Sequence, residues 1–253
     1  MLKVSDLTLA YGGEPVLAGV NLEVADAQFV SLVGPSGSGK SSILRAVAGL
    51  QAPQAGKVDL AVGRDAVGIL FQDDALLPWR TARENVMLGL RIRGAGDAAA
   101  ASEADAWLAR LGLTGFEERY PRHLSGGQRK RVALAQVLAL RPRLLLMDEP
   151  FASLDAIVRH RVTHDLLNLV EGEGISVLLV THDLEEAQIL SDVIYLLSRG
   201  PRAEVRRRYE VPIPRPRDLI KARLHASFGP LLERLWQDLS LEVDGCGQAN
   251  EAA

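Results

Sequence analysis

The stretch GPSGSGKS, residues 34–41, constrains the fold more than any other feature of the chain. It fits the pattern G-x-x-x-x-G-K-[ST], in which a glycine-rich backbone and a helix N-terminus bind phosphate. The apolar run FVSLV (29–33) precedes it, and Ile43, Leu44, Val47 and Leu50 follow at helical spacing. We therefore predict a strand, a phosphate-binding loop and a helix, which together form a nucleotide site.

Each residue type in this loop suits a phosphate group. The backbone N–H groups of Gly37 to Ser41 are expected to cradle the phosphates of a nucleotide. Lys40 would reach the β- and γ-phosphates, and the Ser41 hydroxyl would hold Mg²⁺. The candidate nucleotide contacts are Gly34, Pro35, Ser36, Gly37, Ser38, Gly39, Lys40, Ser41 and Ser42.

Three further apolar runs are typical of strands covered on both faces of a parallel sheet. They are VGILF (67–71), LLLM (144–147) and SVLLV (176–180). The N-terminal stretch alternates apolar and polar residues on both sides of Gly12-Gly13, which indicates an antiparallel layer. Segments with a helical pattern lie between the second and third strands. We expect an α/β phosphate-loop NTPase core with a mainly parallel sheet, an N-terminal antiparallel β layer and a helical insertion.

The same patterns suggest how the chain is divided. A nucleotide-binding domain is expected over residues 1–230, with a core at about 1–78 and 141–200 and a helical subdomain at about 79–140. A short C-terminal extension covers 201–253. It is expected to be irregular from Gly200 until one amphipathic helix, which carries Leu219, Leu224, Phe228, Leu231, Leu232, Leu235 and Leu239.

Polar residues follow the predicted strands at their carboxyl ends, where doubly wound sheets bind ligands. These residues are Gln72, Asp148, Glu149 and His182. Asp148 is expected to hold Mg²⁺, directly or through water, and Glu149 to orient and deprotonate an attacking water. His182 would contact the γ-phosphate, and Gln72 the metal or the water.

A second glycine-rich stretch, HLSGGQRK (123–130), also runs into a helical segment. A helix N-terminus offers free N–H groups and about half a positive charge to an anion. Unlike in the first loop, the glycines of this stretch are not followed directly by a lysine and a hydroxyl placed for phosphate and metal. We interpret it as half of a phosphate site.

With these motifs in order, residues 1–200 resemble the ATP-binding-cassette (ABC) ATPases. The resemblance rests on the loop, Gln72, LSGGQ (124–128), LLLMDEP (144–150), SLD (153–155) and His182. It implies a head-to-tail homodimer in which LSGGQ caps the γ-phosphate held by Lys40 of the other subunit. The residues concerned would be Ser125, Gly126, Gly127 and Gln128. Tyr11 would stack on adenine, or else be a core tyrosine, and Asp155 would contact the neighbouring subunit.

Residues 71–94 and 195–205 are similar to the importer ATPases of the nitrate, sulfonate and taurine group. That resemblance implies a transmembrane permease partner and, indirectly, an extracytoplasmic solute-binding protein. Leu76, Leu77 and Trp79 would then contact the permease. Alternatively, these three side chains pack in the core of the helical section.

Composition bounds the remaining possibilities. No apolar run approaches the ~20 residues of a membrane span, and the single cysteine, Cys246, excludes a disulfide framework. We expect a peripheral protein at the cytoplasmic face of the cell membrane. The net charge of −3 gives no support to nucleic-acid binding. The alternatives are a soluble ABC-type ATPase that acts on nucleic acid and a nucleotide-dependent regulator.

Two weaker signals are interpreted as structural. His160 and His164 have a spacing that can hold zinc, but no acidic residue lies between them. The run Arg206 to Arg208 is typical of a solvated strand or loop.

Overall fold

The computed structural model describes residues 1–152 and 154–244, so Ser153 of the SLD motif and Cys246 lie outside the described residues. No helix in these two ranges combines the length and the apolar character that a membrane span requires. The strands are β1 (Leu2–Tyr11), β2 (Glu14–Val24), β3 (Phe29–Val33), β4 (Ala55–Leu60), β5 (Val67–Leu70), β6 (Leu144–Asp148), β7 (Ser176–Val180), β8 (Val193–Leu197) and β9 (Val205–Glu210). The helices are α1 (Lys40–Val47), α2 (Ala82–Ile92), α3 (Asp97–Arg110), α4 (Gly126–Leu138), α5 (Ala156–Glu173), α6 (Leu184–Leu190) and α7 (Phe228–Asp244).

The larger sheet has the strand order β5-β6-β7-β3-β8-β9. Its first five strands are parallel, and β9 runs antiparallel to β8. Because β3, β7 and β8 are buried along their whole length, they read as continuous apolar runs. The four strands predicted from such runs are confirmed. β8, with the sequence VIYLL, is a fifth run of the same kind that the prediction left out.

The N-terminal layer is a three-stranded antiparallel sheet in the order β2-β1-β4. Its inward side chains, among them Leu7 and Leu9, share one apolar cluster with Ile43 and Leu44 of α1. The layer therefore packs on the helix that follows the phosphate loop. β4 was not predicted because none of its residues is fully buried, which leaves no clear alternation.

Three helices lie in the section where the sequence indicated helical structure. α2 begins at a capping box, in which Thr81 accepts from the backbone N–H of Glu84 while the Glu84 carboxylate accepts from Thr81. Trp107 of α3 and Leu134 of α4 are buried in the same core cluster as Val86 of α2. The division of the chain into subdomains stays a prediction.

The C-terminal part differs from the prediction in two respects. The chain is not irregular after Gly200, since β9 extends the main sheet. The period-two pattern was hidden because Arg206, Arg207 and Arg208 are exposed in succession, and Tyr209 alone is buried on β9. The predicted amphipathic helix begins only at Phe228.

Local chemistry explains where these helices begin and end. Pro230 is tolerated only in the first turn of a helix, so α7 cannot extend far toward the N-terminus. Leu219 is buried ahead of the helix, whereas Leu224 is 80% exposed. In the same way, α1 ends at Val47, and Leu50 lies beyond it in an exposed position.

Candidate nucleotide-binding site

The phosphate loop connects β3, in the middle of the sheet, to α1. Gly37 and Gly39 have φ of 78° and 83°, a conformation that L side chains rarely adopt. A Cβ on Gly39 would also lie 2.7 Å from Leu17 Cδ2 of β2. The loop is therefore glycine-rich for backbone conformation and for close packing, and its N–H groups are available at the start of α1.

Lys40, the first residue of α1, lies over this loop and is 7% exposed. Its ammonium group donates to the carbonyl oxygens of Gly34 at 2.8 Å and Pro35 at 2.7 Å. Burial lowers the pKa of Lys40, and the nearby carboxylates of Glu149 and Asp148 oppose that shift. A buried cation fixed in this way is a strong partner for a phosphate group.

Asp148 is the last residue of β6 and lies beside Ser41 of α1. Burial raises the pKa of its carboxyl group, and a hydrogen bond from the Ser41 hydroxyl acts in the opposite direction. Mg²⁺ prefers oxygen ligands, with one or two carboxylates alongside phosphate and water. The Ser41 hydroxyl and the Asp148 carboxyl therefore form a donor set that fits this ion.

Glu149 follows Asp148 and has φ of 44°, in the left-handed region. For a residue with a Cβ this conformation costs about 1–2 kcal/mol. It is held in place by a hydrogen bond of 2.8 Å from the Glu149 N–H to the carbonyl oxygen of Val180 on β7. The Glu149 carboxylate Oε1 lies 3.2 Å from Nδ1 of His182. The candidate base and the candidate γ-phosphate contact are thus side by side.

Gln72, the other residue predicted to contact the metal or the water, is placed differently from Asp148 and Glu149. It follows β5, at the edge of the sheet, and its side chain is exposed. Within residues 1–152 and 154–244, no hydrogen bond joins its side chain to Ser41 or Asp148. Its backbone carbonyl instead accepts from Lys130 at 3.0 Å.

Tyr11, at the end of β1, is 48% exposed, so the alternative of a core tyrosine is wrong. Its hydroxyl lies 3.2 Å from the Ser42 hydroxyl and donates to Gln51 Oε1 at 2.6 Å. The hydrogen bond with Ser42 lowers the pKa of Tyr11. These contacts hold the ring beside α1 with a large part of its surface accessible, as stacking on a base requires. The stacking itself stays a prediction.

The LSGGQ stretch forms the start of α4. Ser125 is the N-cap, and its hydroxyl accepts from the backbone N–H of Gln128 at 3.3 Å. The Gln128 side chain completes the capping box by accepting from the Ser125 N–H at 2.8 Å. Gly127 is buried against Val158 of α5. A Cβ at this position would lie 2.3 Å from Val158 Cγ1, so only glycine fits without a shift of the neighbour. Ser125 is exposed and Gly126 partly so, which leaves the helix N-terminus open to an external group.

Asp155 occupies the corresponding position on α5. Its carboxylate accepts from the N–H of Val158 at 3.0 Å, which caps that helix. Asp155 is exposed. Since Val158 packs against Gly127, the capped ends of α4 and α5 are neighbours.

Sequence reasoning missed one connection to this region. Lys130 of α4 is 1% exposed at its side chain, and its ammonium group lies 2.9 Å from Asp74 Oδ1. Because it also donates to the backbone at Gln72, it joins the LSGGQ helix to the segment after β5. The signal was a lysine in the basic run RKR on a helix that is otherwise buried.

The segment after Gln72 contains the residues assigned either to a permease contact or to the core. The structure divides them. Leu76 packs against the main core cluster, Leu77 is partly buried, and Trp79 is 70% exposed. Packing in the core therefore applies to Leu76 and does not apply to Trp79.

The structure brings five of the predicted residues together at the carboxyl ends of the parallel strands. They are Lys40, Ser41, Asp148, Glu149 and His182, which follow β3, β6 and β7. Among the contacts of the described residues, none joins this group to Ser125. One chain therefore offers a phosphate site with its cation and base, and separately the exposed N-terminus of α4.

The chain is similar to known proteins in its sequence. A sequence model of the family described as "ABC transporter" matches residues 17–152. The taurine import ATP-binding protein TauB of Yersinia pestis bv. Antiqua (strain Antiqua) is 43% identical over 212 residues, which are 82% of this chain and 83% of that protein. TauB of Escherichia coli O157:H7 is 43% identical over 206 residues, or 79% of this chain and 81% of that protein.

Solved structures show the same fold. The dimeric post-hydrolysis state of the ATP-binding cassette MJ0796, bound to ADP and Pi, superposes with a TM-score of 0.74 at 33% identity. A second dimeric structure of MJ0796, a bacterial ABC transporter cassette, gives a TM-score of 0.75 at the same identity. Each alignment covers 85% of this chain and 100% of the other.

Proposed function

The chain belongs to the ABC transporter family, and on that premise we propose that it binds and hydrolyses ATP to energise the import of a small solute. The observation that carries the proposal is the arrangement at the carboxyl edge of the sheet. A buried lysine over a phosphate loop lies close to two carboxylates, one of which contacts a histidine.

Each of these side chains has a defined task in hydrolysis. Lys40 and the loop N–H groups bind the β- and γ-phosphates and counter their charge. Bound Mg²⁺, held by Ser41 and Asp148, would supply further charge neutralisation. Glu149 orients a water molecule and accepts its proton, while His182 positions the Glu149 carboxylate and contacts the γ-phosphate. Gln72 is assigned a supporting contact with the metal or the water, and Tyr11 stacks on adenine.

The second half of the site comes from another subunit. The exposed start of α4, with Ser125 and Gly126, fits a phosphate that its own chain does not bring to it. A head-to-tail homodimer places the start of α4 against the ATP held by Lys40 of the partner, with Asp155 at the same interface. Both MJ0796 structures are described as dimeric, which supports this arrangement.

The relatives named as taurine import proteins support an importer and a transmembrane permease partner. Trp79 is the exposed apolar side chain that we assign to the permease contact. We assign the protein to the cytoplasmic face of the cell membrane, beneath a permease that receives its solute from an extracytoplasmic binding protein. The solute class is a small sulfonate, nitrate or taurine type.

Replacement of Glu149 by glutamine tests the hydrolytic step. The Glu149→Gln protein should bind ATP and form a dimer that accumulates, because only proton abstraction and water orientation are removed. Sizing chromatography with ATP and Mg²⁺ measures the dimer, and phosphate release measures turnover. We expect turnover to fall about a hundredfold or more.

Glu23→Gln is the matched control, since Glu23 is an exposed carboxylate on β2 outside the site. It should leave both measurements unchanged. If the Glu149→Gln protein hydrolyses ATP at the wild-type rate, the assignment of the base is wrong. If it remains monomeric with ATP and Mg²⁺, either the base assignment or the dimer cycle is wrong. Co-purification from membranes separates the importer from the alternative function, because a permease should accompany the protein and nucleic acid should not.

A further inference from the structure

A cavity of about 230 Å³ lies behind the nucleotide site, between α5, α6 and the segment that precedes α7. Arg159 and Thr163 line it from α5, and Glu186 lines it from α6. Its volume is below the roughly 300–1,000 Å³ of pockets for drug-sized ligands. A ligand of this cavity must therefore be a small solute.

The α5 wall presents two hydrogen-bonding groups without a protein partner. The Thr163 hydroxyl oxygen and the Arg159 Nε atom are both buried, and neither is paired with any of the described residues. Thr163 as a whole is 7% exposed. A buried donor without an acceptor costs free energy, so a ligand oxygen that accepts from both groups would be favoured.

The α6 wall presents a carboxyl group that has no ion pair among the described residues. Burial raises the pKa of Glu186 from 4.5 to about 7, although a hydrogen bond with Thr181 opposes the shift. The other charged groups at the cavity are already engaged. Asp183 lies 3.9 Å from Arg159 Nη1, and Arg223 lies 3.2 Å from Glu185. His160, an exposed side chain, completes the ionisable lining.

We propose that this cavity binds a small zwitterion, whose acidic group accepts from Arg159 and Thr163 and whose ammonium group contacts Glu186. The ligand class comprises short amino acids and aminosulfonic acids, which share this chemistry. Ile189, Leu190 and Leu219 supply an apolar surface for the methylene groups between the two charges. A ligand with only the acidic group would pair with Arg159 and Thr163 alone, and one with only the ammonium group would pair with Glu186 alone.

The position of the cavity connects it to the nucleotide site. Arg159 Nη2 donates at 3.1 Å to the carbonyl of Leu154, the residue before Asp155. On the other wall, Asp183 directly follows His182. A zwitterion that joins α5 to α6 would thus restrain both His182 and Asp155 and change the rate of ATP hydrolysis. This effect on the rate rests on the proposed function, whereas binding to the cavity does not.

Calorimetry on the purified chain without nucleotide tests the binding. The probes are taurine, as an aminosulfonate, and β-alanine, as an amino acid of the same length. Ethanesulfonate and ethylamine serve as the two half-molecules. At least one zwitterion should bind about tenfold more tightly than either half, because each charge-assisted contact contributes separately. The zwitterion that binds more tightly identifies the ligand class.

Variants of the lining locate the site. Arg159→Met should weaken binding about tenfold, since a charged hydrogen bond is lost. Thr163→Val keeps the shape of the side chain and should weaken binding several-fold. Arg161→Met is the matched control on α5, because Arg161 is exposed and does not line the cavity. Melting temperatures measured for each variant show that the fold is kept.

Three outcomes would overturn the proposal. The first is the absence of heat from either zwitterion at tens of millimolar. The second is equal affinity for a zwitterion and one of its halves. The third is binding that Thr163→Val and Arg159→Met leave unchanged in folded protein. If binding is found and ATP hydrolysis does not respond to it, the site stands and its coupling to the nucleotide site is refuted.

Discussion

Two glycine-rich helix starts in this molecule look alike in sequence and differ in physical design. At the start of α1, the buried ammonium group of Lys40 is fixed by the carbonyls of Gly34 and Pro35. At the start of α4, Ser125 is exposed and no lysine lies in the first turn. The first helix start carries its own cation, whereas the second offers a dipole of about half a charge and free N–H groups.

The glycines in the two places also serve different needs. Gly37 and Gly39 adopt positive φ, so the backbone of the phosphate loop could not take its shape with most other residues. Gly127 does not have a positive φ. Glycine is needed there because Val158 packs so closely that a Cβ would not fit. Glycine thus shapes an anion-binding loop in one case and permits helix packing in the other. A glycine-rich pattern before a helix does not by itself show which need applies.

The largest expected effect comes from removing the cation of the first helix start. Lys40→Ala should weaken ATP binding by roughly a hundredfold or more, because the main positive charge at the β- and γ-phosphates is lost. Calorimetry with ATP measures the change. Lys57→Ala is the control, since Lys57 is an exposed lysine paired with Asp59 on β4. Equal affinity in the Lys40→Ala and wild-type proteins would remove the distinction between the two helix starts.

A substitution at the second helix start should affect hydrolysis rather than ATP binding. Ser125→Arg should leave ATP binding by one chain almost unchanged, because among the described residues the Ser125 hydroxyl and N–H are hydrogen-bonded to Gln128 and not to the phosphate loop. It should abolish hydrolysis by blocking the cap on the partner's γ-phosphate. An equal mixture of the Ser125→Arg and Lys40→Ala chains forms some dimers with one intact site. Phosphate release should recover to about a quarter of the wild-type rate if the chains assort at random.

A chain that carries both substitutions is the control for this mixture. Its dimer with wild type contains no intact site, so it should add no activity beyond that of the wild-type homodimers. Mixed dimers must first be shown to form in the mixture of Ser125→Arg and Lys40→Ala chains. If the phosphate release of that mixture then equals the sum of the two mutants alone, each site is built within one chain.

The two helix starts also show how far the sequence alone could lead. The phosphate loop was predictable because its strand, glycines and lysine are contiguous, and the acidic pair was predictable because parallel strand ends share one edge. That LSGGQ is half of a phosphate site was inferred because no lysine is placed there for a phosphate, and its completion by a second subunit was implied by the family resemblance. The first two inferences needed only local spacing and the topology of a parallel sheet.

What the sequence did not reveal depends on contacts between distant segments. Lys130 was given no role from the sequence, yet it is buried against Asp74 and the backbone of Gln72. The strand β9 was hidden by three consecutive arginines on an edge strand. Arg207 shares a face with the buried Tyr209, yet it remains exposed and pairs with Asp238 of α7 at 3.4 Å. The cavity behind the site combines α5, α6 and two residues from the segment before α7, Leu219 and Arg223, so no local pattern indicates it.

Glu186 offers a test of stability that should leave both helix starts untouched. Burial raises its pKa to about 7, so the folded protein holds this proton more tightly than the unfolded chain. The free energy of unfolding should therefore fall as the pH rises from about 4.5 to 7 and then level off. Glu186→Gln has no proton to lose and should be more stable than wild type at pH 8 by about 3 kcal/mol.

Denaturant unfolding at several pH values measures this difference. Below pH 4.5 the two proteins should converge, since the carboxyl group is protonated in both states. Glu185→Gln, which alters the exposed neighbour paired with Arg223, is the control and should not follow this profile. An unchanged affinity for ATP in Glu186→Gln keeps the comparison of the two helix starts intact. A difference that grows toward low pH would contradict the assigned shift.

The smallest effects are expected in the segment that Lys130 joins to α4. Leu76 packs on the core, so Leu76→Ser should lower the free energy of unfolding by about 1–2 kcal/mol, a shift of a few degrees in melting temperature.

Trp79→Ser should shift the melting temperature by less, because the side chain is 70% exposed, and should instead reduce co-purification with the permease. Trp236→Ser is the matched control, an exposed tryptophan on α7. It should affect neither measurement. If Trp79→Ser destabilises the chain as much as Leu76→Ser does, or if Trp236→Ser loses the permease equally, then Trp79 is not the contact. The second helix start would then have no demonstrated connection to the membrane partner.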